Sequence, residues 1–463
     1  MRNLLENVAA HAGGWIELRY QARTARRIVA RNGTLEESSS HRSLGVGVRA
    51  WEDGVFGFAS TTDLTEAGIR KAVLAARDAA KTSAQAKKVR VHTLAPARMA
   101  KGTFPVETDD PLDNHSLEEK LCLVLKQDGF IRSAHPSIIS SSVSYSEVQD
   151  ERVVVTSDGA SVHLFDAKPD IRFLAVAHRD DDQTMGLESS AVAGGWSDLF
   201  AERSAEEMAE RAVRLAVDQL DAPYASGGSA QVVLNPELVG VLSHEAIGHT
   251  VEADFVLGGA ITSEKMDVRV ASDLVTLCDS GASPYAPHAV GTLPVDDEGV
   301  VCQRVVIIDQ GVLRAYLHNR ETAGVFDAVP AGNARAYTHQ DFPIIRMRNT
   351  YIEPGETPAE DVFAGIQQGY YLCGLGMSGQ ADANAEFMFG VREARRITDG
   401  RVGGIVRGVT ISGNAFDVLQ SVDAVGNDFA WDNVAGYCGK GQPAKVAAGG
   451  PHLRCRLTLG GRQ

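Results

Sequence analysis

Two histidines and a glutamate in one short run carry the strongest chemical signal in the chain: His244-Glu245-Ala246-Ile247-Gly248-His249. Imidazole nitrogens are common zinc ligands, and a carboxylate beside them can serve as a base or as a further ligand. In the usual zinc-peptidase motif the two histidines stand four positions apart and share one helix face. Here they are five apart. On a regular α-helix that turns them roughly 140° from each other, too far to grip one ion. A working metal site therefore requires the helix to depart from regularity. Gly248 supplies backbone freedom for the departure. A π-type turn or a helix end at this point would swing His249 back toward His244.

The elements that must position this pair are legible on either side. Val232-Val233-Leu234 reads as an apolar strand ending at Asn235. Asn235 can cap a helix, Pro236 suits the first helical position, and Glu237 favours the positive end of the helix dipole. Leu238, Val239 and Leu242 then share one apolar face, which puts His244 and Glu245 in the third turn.

A catalytic zinc holds three protein ligands and keeps one position open. Glu245 could be the third ligand or the base, and Glu252, Asp254, His288, His339 and Cys438 are the other candidates. Cys438 stands out among them. The stretch Gly436-Tyr437-Cys438-Gly439-Lys440-Gly441-Gln442 places its thiol in a Gly-rich loop and not in an apolar strand. Near a cation such a thiol ionises and becomes a strong zinc ligand.

These residues, in this order, resemble the TldD/PmbA metallopeptidases, on the catalytic, TldD-like side. The resemblance runs nearly the whole length. It includes Leu44-Gly45-Val46-Gly47-Val48-Arg49, Gly57-Phe58-Ala59 and the His244-to-Glu252 core. It continues through Asp297-Glu298-Gly299, the run from Arg346 to Tyr351, Gly426-Asn427-Asp428 and Cys438-Gly439-Lys440. It implies that His244, His249 and Cys438 bind zinc while Glu245 handles protons. It also implies an extended peptide substrate inside a two-subunit assembly, either a homodimer or a heterodimer with a non-catalytic PmbA-like subunit. Glu252-Ala253-Asp254 stands where the family often has Glu-Gly-Asp, and Gly374–Asp382 replaces a Gly-Gly-rich segment. These departures bear on the substrate and not on the metal.

Three substrate-side residues are expected. Glu252 could meet substrate or orient a ligand histidine. His339 could bind substrate or an oxyanion. Glu386 heads Glu386-Phe387-Met388-Phe389, a strand to whose edge a peptide backbone could add. Arg346 and Arg348 alternate with Met347, so at most one of them faces a cleft, where it could meet a peptide carboxylate; a structural ion pair is the favoured reading. Two other functions compete with a peptidase: an amidase acting on a small C–N-bonded metabolite, and a non-catalytic modulator that binds peptide or protein around a structural zinc. His41, His92, His115 and His135 show no ligand pattern and read as surface residues.

Composition bounds the rest. The 463 residues carry a net charge of −15 with 44% hydrophobic and 23% charged residues, ordinary for a soluble protein. That balance argues against nucleic acid or an anionic membrane as main partner. No run approaches a membrane span or a secretory signal. The six cysteines form no CxxC pair, which fits free thiols in a reducing cytoplasm. Cys122, within Leu121–Leu125, reads as packing.

The expected fold class is α+β in two domains. Residues 1–222 form a mixed N-terminal domain, and residues 229–463 a strand-rich, barrel-like domain carrying the metal site. In the first, Ile16, Leu18 and Tyr20 alternate with Glu17 and Arg19 as in a half-buried strand. Asn32-Gly33 marks a tight turn, and Val46–Ala59 a hairpin. Helices are expected over 65–82, with Ile69, Val73, Leu74 and Ala76 as the apolar side, and over 116–126. Residues 88–113 should cross over between elements. Separate strands follow at 142–145, 152–155 and 173–176, and Ser204-Ala205-Glu206-Glu207 is a capping box opening a helix to Leu220. In the second half Leu274–Leu277, Val300–Cys302, Val305–Ile308 and Val409–Ile411 read as short strands.

Overall fold

The computed structural model describes residues 1–86, 93–432 and 437–461, with the side chains of Met377 and Ser378 left out; His92 and Gly436 lie outside the described residues. The first half is built on one seven-stranded sheet. Its order is Val55–Thr61, Thr34–Glu52, Trp15–Arg31, Ile138–Thr156, Ser161–Arg179 and Lys101–Phe104, with Asp182–Ala191 also on Ser161–Arg179. Asn32-Gly33 and Asp53-Gly54 close the first two hairpins as two-residue turns, all four residues at positive φ. The crossover region contains Lys101–Phe104, paired parallel to Ser161–Arg179. The helix opened by Ser204 has the expected capping box and runs Ala205–Leu220.

Several sequence expectations are corrected here. The runs at 142–145 and 152–155 are one strand, Ile138–Thr156. The polar residues between them mimic a break, yet Glu147 and Asp150 are buried against Arg26 and Arg23 of the neighbouring strand. The helix Glu66–Ala86 buries Ile69, Val73 and Ala76 but leaves Leu74 62% exposed. Leu74 is turned roughly 140° from Ile69, off the apolar stripe. Cys122 is likewise exposed, on the far side of the helix Leu117–Ser133 from Val124 and Ile131. His115 is partly buried, stacked on Trp196 and paired with Asp110. The first strand is not half-exposed: Glu17 and Arg19 are as buried as Ile16 and Leu18, because the second half of the chain covers that face.

The second half contains a closed five-stranded barrel. Gln368–Ala381 pairs with Gly228–Leu234, that with Leu453–Gly460, that with Thr410–Asn414, that with Glu386–Thr398, and this returns to Gln368–Ala381. Leu234, Phe387, Phe389, Ile411 and Leu457 pack in its core. A second sheet, with Leu277–Ser280 beside Asn349–Ile352, stands next to it. Leu274–Thr276 precede that strand, and Val300 and Val301 make only isolated bridges to Met99 and Val295. Among the described residues no helix is long and apolar enough to cross a membrane.

Candidate metal centre

The strand Gly228–Leu234 delivers the chain to Asn235, whose side chain accepts from the backbone N–H groups of Leu238 and Gly374, both at 3.0 Å. Pro236 then opens the helix Pro236–Val241 as the sequence requires. From Leu242 to Ile247 the winding widens into a π-helical turn, and the Gly248 N–H donates to Ser243 O, five residues back. A 3₁₀ turn, Gly248–Val251, follows. Five residues now make about one turn, so His244 and His249 face the same side, ring centroids 5.2 Å apart.

The irregularity is as the spacing demands, but Gly248 is there for another reason. Its φ of −55° and ψ of −44° are ordinary helical values, so no special backbone freedom is used. A Cβ at this position would instead overlap Met347 Sδ. The glycine permits a close approach.

Cys438 arrives from a short hairpin in which Cys438–Gly439 pairs with Pro443–Ala444. Its Sγ lies 3.1 Å from His244 Nε2 and 3.2 Å from His249 Nε2. The three ligand atoms fall within 4.8 Å of one another, the only such His/Cys/Asp/Glu group among the described residues. Burial works against a thiolate, but the two imidazoles outweigh it and pull Cys438 down to about 5. Burial likewise opposes charge on His249, while hydrogen bonds with Cys438 and Glu252 lift it to about 10.

This donor set fits zinc. Two neutral imidazole nitrogens and a thiolate leave a fourth tetrahedral position open, as catalytic zinc sites do. Zn–N of about 2.0 Å and Zn–S of about 2.3 Å at tetrahedral angles would put each nitrogen about 3.5 Å from sulfur. The ligand atoms therefore need to spread by only a few tenths of an ångström. His249 is already aimed: its Nδ1 lies 2.9 Å from Glu252 Oε2, which leaves Nε2 for a metal.

Glu245 lies at the mouth of this cluster. Its side chain is 41% exposed, with Oε2 4.0 Å from His249 Nε2. It lines a cleft of about 330 Å³ together with His249, Phe255, Asp382 and Lys440.

The structure disperses the other sequence candidates. Glu252 is fully buried and hydrogen-bonded to His249, with Lys440 Nζ at 3.2 Å. Its carboxylate faces His249 and Lys440 and does not line the cleft. Asp254 pairs with Lys440 at 2.7 Å. His288 lies 3.4 Å from Asp198, away from the cluster. His339 is no surface residue: it is 4% exposed and packs on Gly45, where a Cβ would overlap its ring, and it does not line the cleft. Glu386 is bonded by Asn414 and does not line the cleft either. Its strand is hydrogen-bonded on both sides within the barrel, so it offers no free edge to a peptide.

Arg346 and Arg348 are both buried: Arg348 makes a structural ion pair with Asp279, and Arg346 donates to the carbonyls of Cys438 and Gln442. Sequence reasoning gave no role to Lys440, which ties Glu252, Asp254 and the Ile345 carbonyl to the cysteine loop. Its signal was a cation two residues from the thiol, with two acids close behind His249.

A strand-rich barrel thus carries, beside an open cleft, a His-His-Cys cluster that could hold a single metal ion. Three sequence profiles, described as PmbA/TldA metallopeptidase domain 1, central domain and C-terminal domain, match residues 16–80, 110–220 and 227–461. The chain belongs to the PmbA/TldD metallopeptidase family. A Methanothermobacter thermautotrophicus protein named Metalloprotease is 32% identical over 437 residues, covering 94% of this chain and 92% of its own. A Saccharolobus solfataricus protein named Zinc metalloprotease TldD homolog is 30% identical over 352 residues, 75% of this chain and 77% of its own. The solved structure of TldE from Thermococcus kodakarensis shares the fold, with a TM-score of 0.76 at 18% identity over 98% of this chain and 99% of that one.

Proposed function

We propose that this chain is a zinc-dependent peptidase that hydrolyses amide bonds of peptides, with His244, His249 and Cys438 as zinc ligands and Glu245 as general base. The observation that carries the reading is the convergence of the two Nε2 atoms and the thiolate beside a cleft that Glu245 also lines. Zinc in this donor set supplies Lewis acidity, activating water and polarising an amide carbonyl. Glu245, half-exposed and adjacent, takes the proton from the attacking water and returns it to the leaving nitrogen. Glu252 holds His249 in the tautomer that offers Nε2. Phe255 and Lys440 form one wall, the ammonium 4.3 Å above the ring. An open cleft suits a chain passing through it better than a sealed pocket for one metabolite. The six thiols are all free, in keeping with a reducing compartment, and assembly as a homodimer or with a non-catalytic partner belongs to the same reading.

Glu245→Gln tests it. The variant should keep one zinc per chain and lose at least about 100-fold in kcat on fluorogenic peptides. Full activity in that variant sinks the hydrolytic mechanism. Turnover of small amides but no peptide by the zinc-loaded wild type would move the substrate to a metabolite.

A further inference from the structure

Tyr437, Gln442, Pro443, Ala444 and Lys445, in and beside the hairpin that carries Cys438, line a separate, small cavity of about 40 Å³. Six cationic side chains line it: Arg23, Arg152, Lys168, Arg335, Arg346 and Lys445. Only two carboxylates do. Asp150 is gripped by Arg23 through Nε and Nη2, at 2.8 and 2.6 Å. Asp166 is shared between Arg152 at 3.1 Å and Lys168 at 3.2 Å. Behind the wall, Asp297 and Asp170 partner Arg152 and Lys445.

That leaves Arg335 and Arg346 with no carboxylate in ion-pair range among the described residues. Arg335 donates to the carbonyls of Met347 and Lys445, at 3.0 and 2.8 Å. Arg346 donates to those of Gln442 and Cys438. Arg346 is only 1% exposed, and among the described residues its Nε has no acceptor, nor have Arg23 Nη1 and Arg152 Nε. Residues 433–436 are Asn, Val, Ala and Gly and bring no acid. The chain as a whole carries −15, so this positive excess is strictly local.

Removing guanidinium groups from water is costly unless an anion faces them. The strain is visible in the neighbours. Burial, with Arg335 and Arg152 close by, pushes Lys168 down to about 8 in spite of Asp166. Burial with Arg346 and Arg152 brings Arg335 down to about 10.

We propose that this cavity is a binding site for one small oxyanion, either a free ion of the phosphate or sulfate class or the carboxylate end of a peptide. Guanidinium forks match both chemistries. The volume holds more than a single water, which needs about 10–15 Å³ by the same measure, but far less than a nucleotide needs. The site is coupled to the metal loop. Arg346 holds the Cys438 carbonyl, and Lys445 lies 4.6 Å from the ring of Tyr437, which lines the cavity. An anion here therefore fixes the hairpin that carries the cysteine ligand.

The test is calorimetric titration of the zinc-loaded full chain with sulfate, which does not sequester zinc, at constant ionic strength against chloride. One saturable site per chain is expected, weakened at least about tenfold in Arg335→Gln. Selenate diffused into crystals should give an anomalous peak among the six cations. This and the wild-type titration decide the matter even if Arg335→Gln fails to fold. A second arm compares binding of a peptide with a free C-terminus to its amidated form, using Glu245→Gln protein. A free-acid preference that sulfate abolishes assigns the site to the peptide carboxylate; sulfate binding without such competition assigns it to a free ion. Absence of a saturable sulfate heat, of a selenate peak and of any free-acid preference together overturns the proposal. None of these readouts requires proteolysis.

Discussion

Glu252 shows how burial decides what a side chain's chemistry can be. As a carboxylate three residues past His249 it could have met substrate, but with no exposed surface it can only act through its neighbours. It accepts from His249 Nδ1 and faces the Lys440 ammonium, so it fixes one ligand's orientation and tautomer. Carboxylates in that position typically account for about 10- to 100-fold in metal affinity. Glu252→Ala should therefore weaken zinc by about that factor in a competition with a chromophoric chelator, whereas Glu245→Gln should not. Equal affinity of Glu252→Ala and the wild type would show that His249 is oriented without it. The types and spacing of His244, Glu245 and His249 are chemical signals in themselves, whereas Cys438 stands out only as a thiol in a Gly-rich loop, one of several candidates until the family resemblance favours it. The sequence could not reveal the direction in which Glu252 points, since the Lys440 that helps hold it comes from 188 positions further along the chain.

The motif helix was readable in part for the same reason. A five-residue spacing forbids a regular helix around one ion, and the π turn at Leu242–Ile247 is the resolution. The cap at Asn235 and the proline at the first turn are local signals and came through intact. The role of Gly248 is not local: its backbone is ordinary, and Met347, on a distant segment, is what excludes a side chain. Only exclusion by Met347 ties the cost of a side chain at this position to a second residue. If freedom mattered little and space were available, Gly248→Ala would stabilise a helical residue by about 0.5–1 kcal/mol. Against Met347 Sδ it should instead cost about 1–3 kcal/mol through overpacking. Urea denaturation of Gly248→Ala, Met347→Ala and the double variant checks this. The two substitutions should couple by more than about 0.5 kcal/mol, with the alanine better tolerated once Met347 is truncated.

At the scale of the whole molecule, alternation along the first strand suggested one wet face, and the structure covers both. The barrel itself was foreshadowed by many short apolar strands, but its closure depends on Tyr370–Leu372 lying parallel to Val232–Leu234, a pairing no local pattern encodes. The polar face of the N-terminal sheet is covered by segments of the second half, and charge marks where they meet. Arg49 is fully buried between Glu17 and Glu298 and lies over the rings of Phe56 and Phe342. Burial opposes its charge, yet the two carboxylates hold it firmly protonated. Removing one member of such a group leaves the others buried without compensation, which typically costs about 3–5 kcal/mol. Arg49→Met keeps much of the side-chain volume and removes the charge, so it isolates that cost from cavity formation. It should lower the stability of the folded chain by about that amount in chemical denaturation while leaving the proposed zinc stoichiometry unchanged, because the three candidate ligands all come from the second half. A cost below about 1 kcal/mol would mean that Glu17 and Glu298 find protons or water in its place, and that the contact between the N-terminal sheet and the second half rests on its apolar rings.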